Sequence, residues 1–525
     1  MKYTIGALIL AALPSLLPAG TYKNPVLPGS YPDPSVCRVG DDYYLVNSSF
    51  QYYPAVPVHH SKDLVNWKNI GHCIDRPSQI PLRDVGAWTG IYAPSIRHNR
   101  GTFYMTTTLV PKGGNFYVTS ENPAGPWSDP VWVRQGGIDP DIFFDDDGKV
   151  YFLSAMGGAF LSEIDIKTGE LKTEPRQIWA GTGGRYAEAP HIYKKDGYYY
   201  LLMAEGGTEY GHMATIARSR SIYGPYEENP ANPILTHRGR EGAASPIQCV
   251  GHADFVEAHD GSWWAVFLGV RPQNGMHHQT GRETYLAPVS WPEGGWPVVN
   301  KNGTVSQVMD CPTLPPAKVQ PKPPRDNFDA EKLSAEWNHI CIPDAENYSL
   351  SERPGFLRMY ASGRTLDESG SPSFVGRRQQ QNKFSATAAL DVSALEPGSS
   401  AGITAFKIAG SHYDLAVKNR GGKKYVTVDY RLPYIHSPQP EIPLSSDRVC
   451  LRIEGGNGLY SFFFSADGKS FEKLGDMDAK YISTETAGGF TGVMIGLFAH
   501  KEKSQDKPSR VDFDWFEYRD SYPED

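Results

Sequence analysis

The chain has 525 residues and a net charge of −8, with 51 Lys and Arg against 59 Asp and Glu. That length calls for two domains, and the modest charge argues against nucleic acid and anionic membrane as partners. Its 30 Tyr, 11 Trp, 53 Gly and 42 Pro suit many short strands joined by turns, with aromatic rings for the core and for stacking on sugars.

Residues 1–20 read as a signal peptide. Lys2 gives a positive start, 5–17 is apolar, and Ala19 and Gly20 are small. The apolar run is shorter than the roughly 20 residues a membrane span needs, so the expectation is a secreted, extracellular protein. Six cysteines, at 37, 73, 249, 311, 341 and 450, have no metal-binding spacing. After export they allow a disulfide or two but no dense framework. Of three glycosylation sequons, Asn47 lies in an apparent strand and is a poor acceptor, whereas Asn302 and Asn347 suit one.

A strand pair then recurs five times. Each copy opens on a small or acidic residue, usually followed by Pro, and closes on an aromatic-rich strand after a turn. The openings are Asp33-Pro34-Ser35-Val36, Ala93-Pro94-Ser95-Ile96, Asp139-Pro140-Asp141-Ile142, Ala189-Pro190-His191-Ile192 and Ala253-Asp254-Phe255-Val256. They recur every 45 to 65 residues or so, close to the period of a propeller blade. A weaker Ser-to-aromatic echo at 61–67, 120–127 and 219–226 reads as outer strands of the same blades. Residues 21–311 are therefore expected to form a five-bladed β-propeller around a central channel.

Residues 312–325 are Pro-rich and read as a semi-rigid linker. Beyond them, at 326–525, strand-length apolar segments continue without the blade motif, for example at 384–392, 401–408 and 493–499. No helical period of useful length is present, and this grammar predicts a C-terminal β-sandwich domain of jelly-roll type.

The innermost strand of each blade lines the channel. Alignment of the five openings puts Asp33, Ala93, Asp139, Ala189 and Ala253 at one position, with Glu188 and His252 one residue earlier. Asp33, Asp139 and Glu188 then converge on one channel end. Any single Asp-Pro is explained by turn chemistry, since Asp bonds nearby backbone N–H groups. Three acids at matched positions of separate blades call for another reason. Crowded carboxyls in a partly dry site push at least one pKa upward. Glycoside hydrolysis needs that arrangement: a protonated carboxyl for the leaving oxygen and a carboxylate to activate water, about 6.5–9.5 Å apart in an inverting enzyme. Arg282 either pairs with one of these acids or forms a surface ion pair. His252 has three readings: orienting the site, binding a metal or filling the core. Phe50, Tyr52, Tyr53, Trp88 and Tyr92 are candidates for a sugar platform.

Several stretches carry a family resemblance: Asn24-Pro25-Val26-Leu27, Tyr31-Pro32-Asp33-Pro34-Ser35, His60-Ser61-Lys62-Asp63-Leu64, Ile138-Asp139-Pro140, Glu188-Ala189-Pro190-His191, Gly251-His252-Ala253 and Gly281-Arg282-Glu283-Thr284. With them the chain resembles glycoside hydrolase family 43, the β-xylosidases, α-L-arabinofuranosidases and arabinanases. Gly376-Arg377-Arg378-Gln379-Gln380 and the ending Asp512-Phe513-Asp514-Trp515-Phe516 are similar to the concanavalin-like β-sandwich of the family's β-xylosidase branch. The resemblance implies that Asp33 is the general base, Glu188 the general acid and Asp139 the residue that tunes the acid's pKa and orientation. It puts Arg282 and His252 at active-site positions. It implies no required cofactor, with calcium an option in the channel near His252. The chain departs from the pattern at Tyr92, where bacterial members of this branch usually carry Trp, and at Gln51, where an acid is frequent. Met276-His277-His278-Gln279 has no counterpart in the resemblance.

The resulting expectation is an inverting exo-glycosidase that releases terminal β-D-xylose from xylo-oligosaccharides or xylan, with α-L-arabinofuranose as a second sugar. The nearest alternative is an α-L-arabinofuranosidase trimming arabinoxylan side chains. The alternative of another class is a non-catalytic carbohydrate-binding propeller, which the loss of any one of the three acids would have favoured. The sequence leaves oligomeric state open.

Overall fold

A computed structural model describes residues 20–310, 323–503 and 508–521. The expected signal peptide, up to residue 19, and the linker through residue 322 lie outside the described residues.

The five recurring hairpins each grow into an antiparallel sheet, and the five sheets form the propeller. The first blade runs Ser35–Val39, Asp42–Val46, Ala55–Ser61 and Lys68–Ile74 in chain order from the channel outward. The second has Ser95–Asn99 and Gly90–Ile91 innermost, then Thr102–Val110, Gly114–Ser120 and Val131–Val133. The third is Ile138–Phe144, Val150–Ala155, Ala159–Glu163 and Arg176–Trp179. The fourth is Glu188–Lys195, Tyr198–Glu205 and Met213–Ser219, with two short outer strands, Glu227–Glu228 and Leu235–Thr236, on its edge. The fifth is Gln248–Glu257, Trp263–Val270, Glu283–Ser290 and Val298–Val299.

The Ser-to-aromatic echoes are not outer strands. Ser61, Ser120 and Ser219 each end a third strand, and the echo is the turn that follows. Asp63 shows why. Its carboxylate accepts hydrogen bonds from Val65 N at 3.0 Å and Asn66 N at 2.8 Å, so the chain is tied into a turn before Trp67 can extend.

The ring is closed by the N-terminal segment. Thr21–Lys23 pairs with Val308–Asp310. Asn24 then exchanges two 2.9 Å hydrogen bonds with the backbone of Leu286, on the fifth blade. Asn47 is fully buried, and its amide donates to Tyr31 O, Pro32 O and Thr284 Oγ1, so it is no glycan acceptor.

The C-terminal unit is a two-sheet sandwich. One sheet runs Tyr348–Ser349, Leu357–Tyr360, Arg510–Arg519, Phe384–Asp391, Arg448–Gly456, Leu459–Ser465 and Glu472–Asp478. The other runs Ser373–Arg378, Met494–Lys501, Ser399–Ile408, Ser411–Arg420, Lys423–Leu432 and Ile435–Pro438. Part of the second sheet's outer face packs on the propeller. Phe374, Phe406, Met494 and Phe498 share a core with Tyr52, Tyr53 and Ile91, and His339–Ile340 pairs as a strand with Tyr52–Tyr53.

The disulfides allowed by the sequence are not formed among the described residues. Cys37, Cys73, Cys249, Cys341 and Cys450 are buried free thiols, and Cys311 lies outside the described residues. Among the described residues no helix is long and apolar enough to cross a membrane.

Candidate active site

Four of the five channel-lining strands begin with an irregularity. Asp33, Asp139, Ala189 and His252 have φ of 53°, 53°, 51° and 51°, in the left-handed region that L-residues seldom adopt. In the third, fourth and fifth blades this is where the strand register slips. The fifth blade thus corrects the sequence alignment by one residue: His252, not Ala253, is the counterpart of Asp33 and Asp139. That copy lacks the proline, and Ala253 stands in the proline's place. Strained positions of this kind are maintained where the surrounding structure dictates side-chain direction.

These openings surround a cavity of about 310 Å³, lined by Asp33, Asp139, Glu188, Arg282, His252, Thr208 and a ring of aromatics. Asp33 is 4% exposed and Asp139 6%. Arg282 Nη1 donates to Asp33 Oδ1 at 2.6 Å and to Thr208 Oγ1 at 3.3 Å. Ser48 Oγ donates to the other oxygen of Asp33, and His252 Nδ1 is 3.7 Å from Oδ1. Asp139 accepts a hydrogen bond from Ala189 N at 3.2 Å, which ties it to the strand that carries Glu188.

The electrostatics split the three acids. Burial alone would raise Asp33, but Arg282 above all, with His252 and the Ser48 hydrogen bond, holds it below the usual carboxylate range. Burial lowers His252 itself to about 4, so its ring is neutral near pH 7 and Arg282 is the working cation. Burial and the charge of Asp33 push Glu188 up to about 7, against Arg282. Burial, Glu188 and Asp33 push Asp139 well above its ordinary value. The surroundings thus favour the ionised form of Asp33 and the protonated forms of Glu188 and Asp139, the division that paired acid and base roles require.

Of the expected platform residues, Phe50, Trp88 and Tyr92 line the cavity, whereas Tyr52 and Tyr53 are buried between the two units. Tyr92 Oη donates to Trp88 O at 2.7 Å. Trp88 is 52% exposed and Tyr186 61%, so both stand at the mouth. A residue that the sequence did not mark completes the wall. Phe490, from the sandwich, stacks on Phe50 at 5.4 Å and meets Trp88 edge-on at 4.8 Å. The Arg282 guanidinium lies 5.4 Å from the Phe50 ring and 5.5 Å from the Phe490 ring, between two aromatic faces.

A second ring of residues lies one step along the same strands, at Ser35, Asp141, His191 and Asp254. Arg97 reaches them all, with Nη2 2.7 Å from Asp141, Nη1 2.8 Å from Asp254 and 3.3 Å from Ser35 Oγ, and Nη2 3.0 Å from His191 Nδ1.

Comparison with known proteins agrees with this geometry. The model of glycosyl hydrolases family 43 matches residues 22–297, and that of the beta xylosidase C-terminal concanavalin A-like domain matches 325–519. This chain belongs to glycosyl hydrolase family 43. It is a glycoside hydrolase built as a five-bladed propeller with a concanavalin-like sandwich. The chain is 43% identical over 507 residues to a non-reducing end alpha-L-arabinofuranosidase of Bacteroides ovatus, covering 95% of both chains. It is 38% identical to a xylosidase/arabinosidase of Butyrivibrio fibrisolvens, covering 91% of this chain and 95% of that one. Among solved structures, the family 43 BlXynB protein of Bacillus licheniformis superposes with a TM-score of 0.90 at 39% identity, covering 95% of this chain and 99% of that one.

Proposed function

We propose that the enzyme removes single terminal pentoses, β-D-xylose and α-L-arabinofuranose, from xylan-derived oligosaccharides with inversion at the anomeric carbon. The observation that carries this is the meeting of Asp33, Asp139 and Glu188 around one small cavity, with Arg282 Nη1 2.6 Å from Asp33 Oδ1. Asp33, ionised, takes a proton from a water as that water attacks the anomeric carbon. Glu188, protonated, gives its proton to the departing glycosidic oxygen. Asp139 shares the crowded site with Glu188 and, by accepting a hydrogen bond from Ala189 N, holds the strand from which Glu188 projects. Arg282 keeps Asp33 charged and is placed to donate to a sugar hydroxyl.

The size of the cavity supports exo action, since it lies at the small end of the roughly 300–1,000 Å³ of ligand sites. Two named relatives of high coverage, an arabinofuranosidase and a xylosidase/arabinosidase, support the pair of sugars. Both pentoses offer similar hydroxyls to one pocket, and apolar contacts separate them weakly.

The axial position near His252 does not suit calcium. The ion needs six to eight oxygen ligands, and the acids next to His252 on the axis, Asp141 and Asp254, are already spent on Arg97. We propose a reaction without a metal step. On Lys2 and the apolar 5–17 stretch we also propose export, to be checked by recovery of activity from the culture medium.

Hydrolysis of 4-nitrophenyl β-D-xylopyranoside and 4-nitrophenyl α-L-arabinofuranoside, measured side by side with an Asp33→Ala control, tests the proposal. Cleavage of both, lost in the control, is expected. Cleavage of the arabinofuranoside alone would convert the enzyme to a side-chain trimmer. Silence on both and on arabinoxylan fragments would leave a sugar-binding propeller.

A further inference from the structure

Phe490 closes the sugar pocket, yet no sheet holds it. It follows a single helical turn, Thr484–Ala487, and two glycines with positive φ, Gly488 and Gly489. Such a loop has little of its own to fix a side chain, so its position is set by what grips it.

The propeller grips the loop from the front, through the unassigned stretch at 276–279. His278 N donates to Glu485 Oε2 at 3.0 Å, and His278 Nδ1 lies 2.6 Å from Glu485 Oε1. His277 Nδ1 is 2.9 Å from Ser483 Oγ, and Val493 N donates to Gln279 O at 2.8 Å. The backbones then meet at Gly281 and Gly492. A Cβ on Gly281 would sit 2.7 Å from Gly492 N, and one on Gly492 would sit 2.4 Å from Thr280 O. Neither position has room for a side chain, and Arg282 is the next residue.

Behind the loop stands a lysine. Lys407, in the Ser399–Ile408 strand, is fully buried. Its ammonium donates to Thr484 Oγ1 at 2.8 Å and to the carbonyl of Thr491. Among the described residues no carboxylate is within ion-pair distance of it. Burial drives its pKa down to about 7, opposed by Glu485 and assisted by Arg282. A buried cation without a counter-ion is costly. Its two hydrogen bonds span the loop on either side of Phe490.

We propose that Lys407 is a positioning residue for sugar binding: its ammonium, from inside the sandwich, clamps the loop at Thr484 and Thr491 so that Phe490 closes the pocket over Arg282 and Phe50. The inference rests on the reading of this cavity as the sugar site. A pocket wall such as Phe490 lies beside the sugar site rather than at the acids, so loosening it should weaken binding and leave the chemical step unchanged.

The test compares Lys407→Met, Phe490→Ala and the double variant on the two 4-nitrophenyl pentosides. Lys407→Met should raise KM about tenfold and leave kcat within about threefold. In the double variant KM should lie within about twofold of that of Phe490→Ala alone, because both changes remove the same contact. Independent, multiplying effects would overturn the proposal, as would a fall in kcat at unchanged KM. If Lys407→Met does not fold, Thr484→Val removes one acceptor and carries the same test, with a rise in KM of about threefold expected and an unchanged KM overturning the proposal. A wild type inactive on both substrates would defeat the reading of the pocket itself, whereas an active wild type with an indifferent Lys407 would defeat this inference alone.

Discussion

Arg282 and Asp33 form a buried ion pair across the channel mouth, 2.6 Å apart, with side chains 9% and 5% exposed. They come from opposite ends of the propeller sequence and meet because the fifth blade closes against the first. The pair keeps the proposed base ionised in a site where burial favours the neutral acid. Removing the cation in Arg282→Met should raise the acidic limb of the kcat/KM profile by about one to two pH units. The same variant should lower kcat/KM at pH 6 by about 10²-fold or more, since a positioned charge is lost as well. A pH titration of kcat/KM checks both, and an unmoved acidic limb would mean that Arg282 serves the sugar only.

Glu188 should reveal its role through the leaving group. Glu188→Gln removes the proton but keeps the shape. Hydrolysis of xylobiose, whose leaving oxygen needs that proton, should fall by about 10³-fold. Aryl glycosides with acidic phenols should fall by about tenfold or less, because their leaving groups depart without help. Equal losses on both substrates would take Glu188 out of the acid role.

The same pKa values set a bell-shaped profile and a stability trend. In the proposed mechanism Asp33 acts ionised and Glu188 protonated, so the alkaline limb of kcat/KM should fall near pH 7 and the acidic limb below the ordinary Asp range. Glu188 and Asp139 are raised in the folded state, so that state binds more protons than the unfolded chain between about pH 4.5 and 7. Stability therefore falls as pH rises through that window. Glu188→Gln should flatten part of the fall, a gain on the order of 2–3 kcal/mol at pH 7.5. Thermal unfolding of both proteins at pH 5 and pH 7.5 measures it.

The proposed acids were legible because a repeat exposes them. An Asp-Pro or Glu-Ala-Pro at the start of a channel strand is a local pattern, and five copies fix its phase. Where the pattern weakened, so did the reading: without the proline, the fifth opening slipped by one residue and His252 lost its match to Asp33. Tyr52 and Tyr53 look like Phe50 in sequence, but only the docking of the sandwich decides that they are buried and that Phe50 faces the cavity. Phe490 had no local signal at all, since its place depends on contacts with residues some two hundred positions away, such as His278 and Arg282. Arg97 has a signal in the sequence. It is a charged residue two positions after Ser95 on a channel-lining strand, where strand alternation turns both toward the axis.

Arg97 makes the last prediction, about metal. Asp141 and Asp254 are almost fully buried on the propeller axis and would need a cation from somewhere. The guanidinium supplies it from within the chain, with two short ion pairs and further contacts to Ser35 Oγ and His191. Arg97 and Asp254 hold each other charged. Arg97 is raised well above its ordinary value by Asp141 and Asp254 in spite of burial, and Asp254 is held far below its own by Arg97 in spite of burial. Activity and melting temperature should therefore be unchanged by prolonged treatment with EDTA and by added calcium. Arg97→Met leaves two buried carboxylates without a partner and should cost about 3–5 kcal/mol of stability. If calcium restored the stability of that variant, the axial acids would be shown to accept an ion when the arginine is gone. If EDTA inactivated the wild type, the assignment of Arg97 as the axial cation would fail.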